Sequence, residues 1–223
     1  MSVNIAIDGP AGAGKSTIAK LLAKRLGYLY VDTGAMYRAL ALYMVEGSIT
    51  LSDEEAVVAA LPQVRVTLAH LDGEQHVYLN DRDVSKDIRK EEIGNAASAI
   101  SGYPAVREKL LSLQRDLAKA KDCIMDGRDI GSFVLPDAQV KIYLTASSGT
   151  RAKRRYDELA AKGESPDLAR IEEDIIKRDE QDKNRSISPL IVADDAVVVD
   201  SSELSIDQVV ERITEIAAEK GVL

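Results

Sequence analysis

The chain has little cysteine, no long apolar run and no excess of positive charge, and each absence excludes a class of protein. Its 223 residues include one cysteine, Cys123, so no disulfide can form within the chain. No apolar segment approaches the roughly 18 residues that a membrane span needs. The 29 Lys and Arg residues against 37 Asp and Glu residues give a net charge of -8. This balance argues against a nucleic-acid-binding surface, although it leaves room for a local basic cleft.

The first residues also lack the pattern of an exported protein. Residues 1–4 lead directly into an apolar segment, without a basic region or a cleavable apolar region before it. We therefore expect a soluble, cytoplasmic protein. The length, with 45% hydrophobic and 30% charged residues, predicts one sizeable α/β domain.

What the chain does contain is an alternation of apolar strands and helices. Lys15–Leu26 has apolar residues at helical spacing before Gly27, a second helix is predicted over about 35–45, and Ser205 with Gln208 has the spacing of a capping box. Strands without strict polar alternation, separated by helices, indicate a mostly parallel sheet covered on both faces. Five strands are predicted, at 3–8, 28–32, 123–127, 140–146 and 196–200.

Two segments depart from this alternation. Residues 64–80 alternate apolar and polar side chains around Asp72-Gly73, which predicts an antiparallel hairpin inserted between helices, with His70 and His76 as ordinary strand residues. Residues 151–167 form a charged helical piece that ends in glycine and proline, which predicts a mobile lid.

The stretch GPAGAGKS fits the phosphate-loop (P-loop) pattern, and it lies between a predicted strand and a predicted helix. Its glycines let main-chain N–H groups turn toward an anion, and the helix N-terminus adds partial positive charge. Lys15 is expected to reach the outer phosphates and Ser16 to ligate Mg²⁺. A turn that merely connects strand and helix is disfavoured by the full spacing. The predicted ATP-binding residues are Gly9, Pro10, Ala11, Gly12, Ala13, Gly14, Lys15, Ser16 and Thr17.

Phosphate binding alone does not select the class of enzyme. A GTPase would need a guanine-reading motif such as Asn-Lys-x-Asp, which is absent, and a motor or helicase would normally be larger. A small-molecule kinase needs a second anion site, and Arg38 and Arg128 both follow predicted strands, near the edge where open α/β sheets bind ligands. Arg178, Asp182 and Arg185 have the spacing of one face of a helix, although a solvated charged helix explains this triplet equally well.

The predicted lid carries a basic run of Arg151, Lys153, Arg154 and Arg155. These side chains are expected to close over the triphosphate and to exclude water from the phosphoryl group. A plain surface helix is an equal alternative on this run alone.

Six motifs together resemble the bacterial cytidylate kinase family of nucleoside monophosphate (NMP) kinases: GPAGAGKS, DTGAMYR, NAAS, VRE, DGRDIG and KRDEQDKNRSISPL. The resemblance runs over essentially the whole chain, with Ser132 where threonine is expected after RDIG. It implies a single P-loop kinase domain with a five-stranded parallel sheet flanked by helices. The core is expected at about 1–61, 99–148 and 185–223, with an antiparallel NMP-binding insert at about 62–98 and a helical lid at about 149–166.

The resemblance also implies transfer of the ATP γ-phosphoryl group to CMP or dCMP, with Mg²⁺, in a monomer that binds small nucleotides. Arg38, Arg128 and Arg185 would hold the acceptor phosphate, and Arg178 and Asp182 would approach the ribose. Thr33 would bind substrate, and Ser98, Arg107 and Asp129 would face the base. Arg151 and Arg154 would bind ATP, and the catalytic set would be Lys15, Arg128, Asp129, Arg154 and Arg185.

The base assignment has a physical basis. A carboxylate such as Asp129 and a guanidinium such as Arg107 match the N4 donor and the N3 and O2 acceptors of cytosine, whereas O4 of uracil would face Asp129 acceptor to acceptor. No strong base is needed, although Asp129 or Asp32 could assist. The alternatives are a kinase for UMP, AMP or shikimate, and a nucleotide-dependent switch or binding module.

Overall fold

The computed structural model describes residues 2–71 and 73–222. The chain divides into two compact units, whose bounds differ from these ranges. The first unit combines the chain up to Leu29 with the chain from Lys121 onward, and the second unit is Tyr30–Ala120. Within the described residues, no helix has the length and apolar character that crossing a membrane requires. The strands are β1 (Asn4–Asp8), β2 (Leu29–Asp32), β3 (Val66–Leu71), β4 (Glu74–Leu79), β5 (Arg82–Asp83), β6 (Cys123–Gly127), β7 (Val140–Thr145) and β8 (Val197–Asp200).

The first two helices begin and end close to their predicted bounds. The helices are α1 (Lys15–Leu26), α2 (Thr33–Glu46), α3 (Glu54–Ala60), α4 (Glu91–Ile100), α5 (Pro104–Ala120), α6 (Ser148–Ala161), α7 (Leu168–Lys183) and α8 (Ile206–Glu219). Short 3₁₀ turns lie at Leu61–Gln63 and Asp87–Arg89, and a π-helical turn lies at Ile130–Val134.

The main sheet has five strands in the order β2-β6-β1-β7-β8. The pairs β1–β6, β1–β7 and β7–β8 are parallel, so the predicted parallel sheet is confirmed. Ile5, Ala6 and Ile7 of the central strand β1 are fully buried. Because a parallel strand is covered by helices on both faces, its sequence lacks polar alternation, and this is the pattern that β1 shows.

Local signals explain the helix ends. Gly27 has φ 71°, a left-handed conformation that glycine adopts without strain, and it ends α1 as predicted. The capping box of Ser205 and Gln208 is present at the start of α8. The second helix begins at Thr33, two residues before its predicted start, because the Asp32 carboxylate accepts a hydrogen bond from the Ala35 N–H group.

The predicted hairpin is confirmed in the second unit. β3 and β4 pair antiparallel, and β5 adds a third short strand. Of the predicted turn pair, Asp72 lies outside the described residues, and Gly73 has φ 80°. His70 lies in β3 and His76 in β4, as expected.

One predicted helix ends early. α7 stops at Lys183, so Arg178 and Asp182 lie on it but Arg185 lies two residues beyond its end. The prediction that all three residues share one helix face is therefore wrong for Arg185. Arg185 nevertheless stays near Asp182, at 3.8 Å from its carboxylate. The turn after the helix is closed by the Leu190 N–H group, which donates to the Asp182 carbonyl at 2.8 Å.

Candidate active site

The P-loop joins β1 to α1 with a backbone that needs glycine. Gly9 has φ 146°, and a Cβ atom there would lie 1.9 Å from the carbonyl oxygen of Leu144. Gly14, with φ 90°, is the residue before the first helical turn. The ammonium group of Lys15 donates to the carbonyl of Pro10 at 2.7 Å, so the lysine folds back over the loop. A loop of this shape presents main-chain N–H groups and one cation to an anion.

Lys15 is buried, and this changes its protonation. Burial and the nearby positive charge of Arg128 lower the pKa of the ammonium group to about 7, although Asp126, Asp8 and Asp182 act in the opposite direction. An incoming phosphate would favour the charged form again. Lys15 is thus prepared to gain its proton when a polyphosphate binds.

A hydroxyl and a carboxylate meet at the start of α1. The Ser16 hydroxyl donates to the Asp126 carboxylate at 2.9 Å, and Asp126 stands beside Ile7 of β1 on the parallel strand β6. Two hard oxygen ligands next to a phosphate site suit Mg²⁺, which keeps several waters and takes its other ligands from phosphate oxygens. The residues present therefore fit the expected metal. Asp126 was not predicted, although a carboxylate at the end of a strand next to β1 was visible in the motif DGRDIG.

The basic run of α6 divides between burial and solvent. Arg151 is buried and donates to Asp179 of α7 at 3.0 and 2.6 Å, to the Ala11 carbonyl at 3.0 Å and to the Ala146 carbonyl at 2.9 Å. Lys153, in contrast, pairs with Asp157 at the surface. Arg151 therefore links the P-loop carbonyl of Ala11 to Asp179 of α7, and Asp179 is a partner that the sequence patterns did not identify.

Arg154 lies at a cavity beside the P-loop. Its guanidinium donates to the carbonyl and hydroxyl oxygens of Ser201 at 2.7 and 3.2 Å. The cavity has a volume of about 620 Å³, and Gly12–Ile18, Arg151, Arg154, Arg155 and Val209 are among the residues that line it. Of the four predicted basic residues, three line this cavity and Lys153 does not. The cavity is large enough for a nucleotide-sized ligand.

A cluster of arginines surrounds one carboxylate at the end of α7. Arg128 Nε donates to Asp182 at 2.8 Å, and Arg185 lies 3.8 Å from the other carboxylate oxygen. Burial alone raises the pKa of Asp182, but Arg128, Arg185 and Arg178 together hold it below its usual range. The structure thus brings Arg128, Asp182 and Arg185 together, with a net positive charge that suits a phosphate.

Asp129 follows Arg128 and is buried at the start of the π-helical turn. The N–H groups of Ile130 and Gly131 in this turn donate to the two carboxylate oxygens of Asp8 at 2.8 and 2.7 Å. Burial raises the pKa of Asp8 to about 6, although these two hydrogen bonds and Lys15 oppose the rise. After Asp126 and Asp179, Asp8 is the third acidic residue that the sequence patterns did not identify.

The second unit holds the remaining predicted substrate residues. Asp32 accepts from Arg38 at 2.8 Å and from Arg89 at 3.4 Å. Burial alone raises the pKa of Asp32, but these two guanidinium groups hold it below its usual range. Among the described residues, the buried Nε of Arg38 has no hydrogen-bond partner, which leaves one donor for a ligand. Thr33 is buried at the start of α2.

Arg107 and Ser98 lie on neighbouring helices of this unit. The Arg107 guanidinium is buried, lies 5.7 Å from the ring centre of Tyr37 and donates to the Ser101 carbonyl at 3.2 Å. Ser98 lies in α4 and its carbonyl accepts from the Ser101 hydroxyl at 2.9 Å. Their approach to the base of an acceptor stays a prediction.

The fold and this site define a P-loop phosphotransferase. The chain belongs to the cytidylate kinase family, because the family model for cytidylate kinase matches residues 5–219. It is 50% identical over 218 residues to the cytidylate kinase of Lactobacillus johnsonii, covering 98% of this chain and 95% of that protein. It is 48% identical over 219 residues to the cytidylate kinase of a Geobacillus species, covering 98% of each. A crystal structure of an uncharacterized protein from Eubacterium ventriosum shares the fold, with a TM-score of 0.53 at 12% identity over 97% of this chain and 99% of that chain.

Proposed function

We propose that the protein transfers the γ-phosphoryl group of ATP to CMP or dCMP, forming ADP and CDP or dCDP. The observation that carries this proposal is the P-loop with Lys15 and the Ser16–Asp126 pair, in a chain of the cytidylate kinase family. We also propose that the protein works as a monomer on small nucleotides and does not bind nucleic acid.

On the donor side, the P-loop residues from Gly9 to Thr17 bind the phosphates of ATP. Lys15 neutralises the outer phosphates, and the buried guanidinium of Arg151 keeps the loop in place through the Ala11 carbonyl. Arg154 lies in the cavity beside the loop, where it adds positive charge. Ser16 and Asp126 would hold Mg²⁺, which supplies charge neutralisation to the phosphates when bound.

On the acceptor side, arginines replace main-chain N–H groups as the phosphate ligands. Arg128 and Arg185 are proposed to bind the acceptor phosphate, and Asp182 holds their guanidinium groups in place. Arg178 and Asp182 are proposed to contact the ribose. In the second unit, Arg38 and Thr33 are proposed as further contacts with the acceptor, and the buried Nε of Arg38 is a donor available for such a contact.

The base is read by polar groups that match cytosine. Asp129 is proposed to accept from N4, and Arg107 and Ser98 to complete the recognition. A base with O4 instead of N4 would leave a buried acceptor unpaired, at a cost of about 1 to 3 kcal/mol. The acceptor phosphate is itself the nucleophile, so positioning and charge neutralisation account for the catalysis and no side chain is assigned as an obligatory base.

A coupled assay of ADP formation tests the substrate class. With Mg-ATP, we expect kcat/KM for CMP and dCMP to exceed that for UMP by about tenfold or more, because the mismatch at Asp129 costs about 1 to 3 kcal/mol. AMP and shikimate should be poorer still. Comparable turnover of UMP and CMP would contradict the role of Asp129, and no turnover of any acceptor would favour a nucleotide-dependent switch.

The variant Arg185→Met tests the acceptor site separately from the donor site. Removal of this guanidinium should lower kcat/KM for CMP by about 100-fold, because it removes a positive charge proposed to hold the acceptor phosphate. Binding of ATP should change by less than about threefold, since Arg185 is proposed to contact only the acceptor. Arg212→Met is the matched control, because Arg212 is a half-exposed surface arginine of α8. Unchanged CMP kinetics in Arg185→Met would contradict the proposed site.

A further inference from the structure

The Asp8 carboxylate caps a helical turn, a role that the side chain at the start of the turn normally has. Ile130 and Gly131 begin the π-helical turn that follows Asp129, and their N–H groups have no partner within such a turn. Asp129 stands at the capping position but makes no side-chain capping hydrogen bond. Both N–H groups instead donate to Asp8, at 2.8 and 2.7 Å.

Strand register explains how a residue 122 positions away can cap this turn. Asp8 is the last residue of β1, and it lies directly beside Gly127 of the parallel strand β6. The chain leaves β6 at Gly127 and bends over the end of β1, which places residues 130 and 131 above the Asp8 carboxylate. The turn packs closely here, because a Cβ atom at Gly131 would lie 3.1 Å from Lys141 Cδ and 3.4 Å from Asp8 Oδ2.

Burying the Asp8 carboxylate costs free energy, which argues that this side chain does more than fill space in the core. Asp8 is only 6% exposed, and a buried carboxylate is unfavourable unless hydrogen bonds or charges compensate. Its two hydrogen bonds are short and both come from the main chain of one turn. That turn directly follows Arg128 and Asp129, two residues that the proposed function places at the acceptor.

We propose that Asp8 is a positioning residue that caps the turn after Asp129 and thereby sets the Asp129 carboxylate for recognition of the acceptor base. The inference rests on the proposed function, since it takes Asp129 as the residue that distinguishes cytosine from uracil. Asp8 is not proposed to contact either nucleotide. It acts through the main chain of Ile130 and Gly131.

The test compares the wild type with Asp8→Asn and Asp8→Ala, using kcat/KM for CMP and for UMP at saturating Mg-ATP, and KM for ATP at saturating CMP. An asparagine side chain offers one acceptor oxygen to two N–H groups, and alanine offers none. The preference for CMP over UMP should therefore fall in both variants, by roughly tenfold in Asp8→Ala and by less in Asp8→Asn. Hydrogen exchange at the Ile130 and Gly131 amides should accelerate in the same order.

The matched control is Asp122→Asn. Asp122 also accepts a main-chain hydrogen bond, from the N–H group of Val3 at 2.6 Å, but Val3 precedes β1 and lies at the opposite end of that strand from Asp8. This variant should keep the CMP preference within about twofold of the wild type. If the Asp8 variants fail to fold, Gly131→Ala changes the residue whose N–H group donates to Asp8, and it should also lower the preference for CMP over UMP.

Three results separate the possible outcomes. A wild-type enzyme that does not phosphorylate CMP would overturn the proposed function itself. A wild-type enzyme with a clear CMP preference that persists in Asp8→Asn, Asp8→Ala and Gly131→Ala would overturn only the role of Asp8. A rise in KM for ATP with an unchanged CMP preference would show that Asp8 acts through Lys15 and not through Asp129, which also contradicts the inference.

Discussion

Lys15 is the residue whose charge depends most directly on the nucleotide. In the free protein its pKa is lowered to about 7 by burial and by Arg128, so the side chain is mostly neutral at pH 8. A bound triphosphate favours the ammonium form and raises the pKa again. Nucleotide binding at pH 8 should therefore be accompanied by uptake of a proton, whereas at pH 6 the lysine is already charged.

Titration calorimetry with Mg-ATP in buffers of different ionisation enthalpy measures this uptake. We expect roughly one proton per nucleotide at pH 8 and close to none at pH 6. Lys15→Arg is the control, because a guanidinium stays charged at both pH values and should show no uptake. Binding at pH 8 with no buffer dependence would contradict the lowered pKa.

Among single residues, those inside a contiguous motif could be predicted, and those whose partners are distant along the chain could not. Lys15 and Ser16 follow from the spacing of the P-loop, since the loop itself fixes their surroundings. Asp179 and Asp8 were missed because their partners lie 28 residues or more away along the chain. A lone aspartate in a sequence carries no sign of which guanidinium or N–H group it will meet.

At the scale of helices, the predicted starts and ends depend on whether a capping side chain was recognised. The capping box at Ser205 and the glycine after α1 are local patterns, and both predictions are confirmed. The end of α7 at Lys183 was missed, because no glycine or proline follows directly and the charged periodicity continues through Arg185. Past the helix, the Asp182 carbonyl accepts from the Leu190 N–H group at 2.8 Å, whereas a continued helix would have paired it with the N–H group of Ser186.

The contact between α6 and α7 provides a test at this scale. Asp179→Asn would leave the Arg151 guanidinium buried without a compensating charge, which should lower the free energy of unfolding by about 3 kcal/mol. The KM for ATP should rise as well, because Arg151 also holds the Ala11 carbonyl of the P-loop. Denaturant unfolding and steady-state kinetics measure the two effects.

Lys153→Ala is the matched control for this pair. Lys153 lies on the same helix and pairs with Asp157, but its side chain is 61% exposed. Because exposed ion pairs contribute little, the loss should stay below about 0.5 kcal/mol with an unchanged KM for ATP. Equal stability of the two variants would show that the buried pair is no more important than the surface pair.

For the whole molecule, the class of sheet was predictable but the order of its strands was not. Uninterrupted apolar strands between helices predict a parallel sheet, and the alternating segment at 64–80 predicts an antiparallel hairpin outside it. The order β2-β6-β1-β7-β8 places β6 between the first two strands of the chain. No pattern in residues 123–127 indicates that position, because strand order depends on how the connecting segments cross the sheet.

The opposing pKa shifts of the buried carboxylates predict how the stability of the protein depends on pH. Asp32 and Asp182 have lowered pKa values, so they stay ionised above pH 4 and their stabilising contribution is lost only in stronger acid. The pKa of Asp8 is shifted in the opposite direction, upward. Its pKa of about 6 in the folded protein lies above the ordinary 3.8, so its favourable contribution is present below about pH 4 and is lost as the pH rises through 6.

Calorimetric unfolding between pH 4.5 and 7 should reveal this difference. On acidification, the wild type should gain stability relative to Asp8→Asn by on the order of 2 kcal/mol, because the folded protein takes up a proton at Asp8 that the unfolded chain does not yet hold. Asp137→Asn, at an exposed position, should instead follow the wild type across the range. Parallel curves for the wild type and Asp8→Asn would mean that Asp8 titrates near its ordinary pKa, and that hydrogen bonds from Ile130 and Gly131 fully compensate its burial.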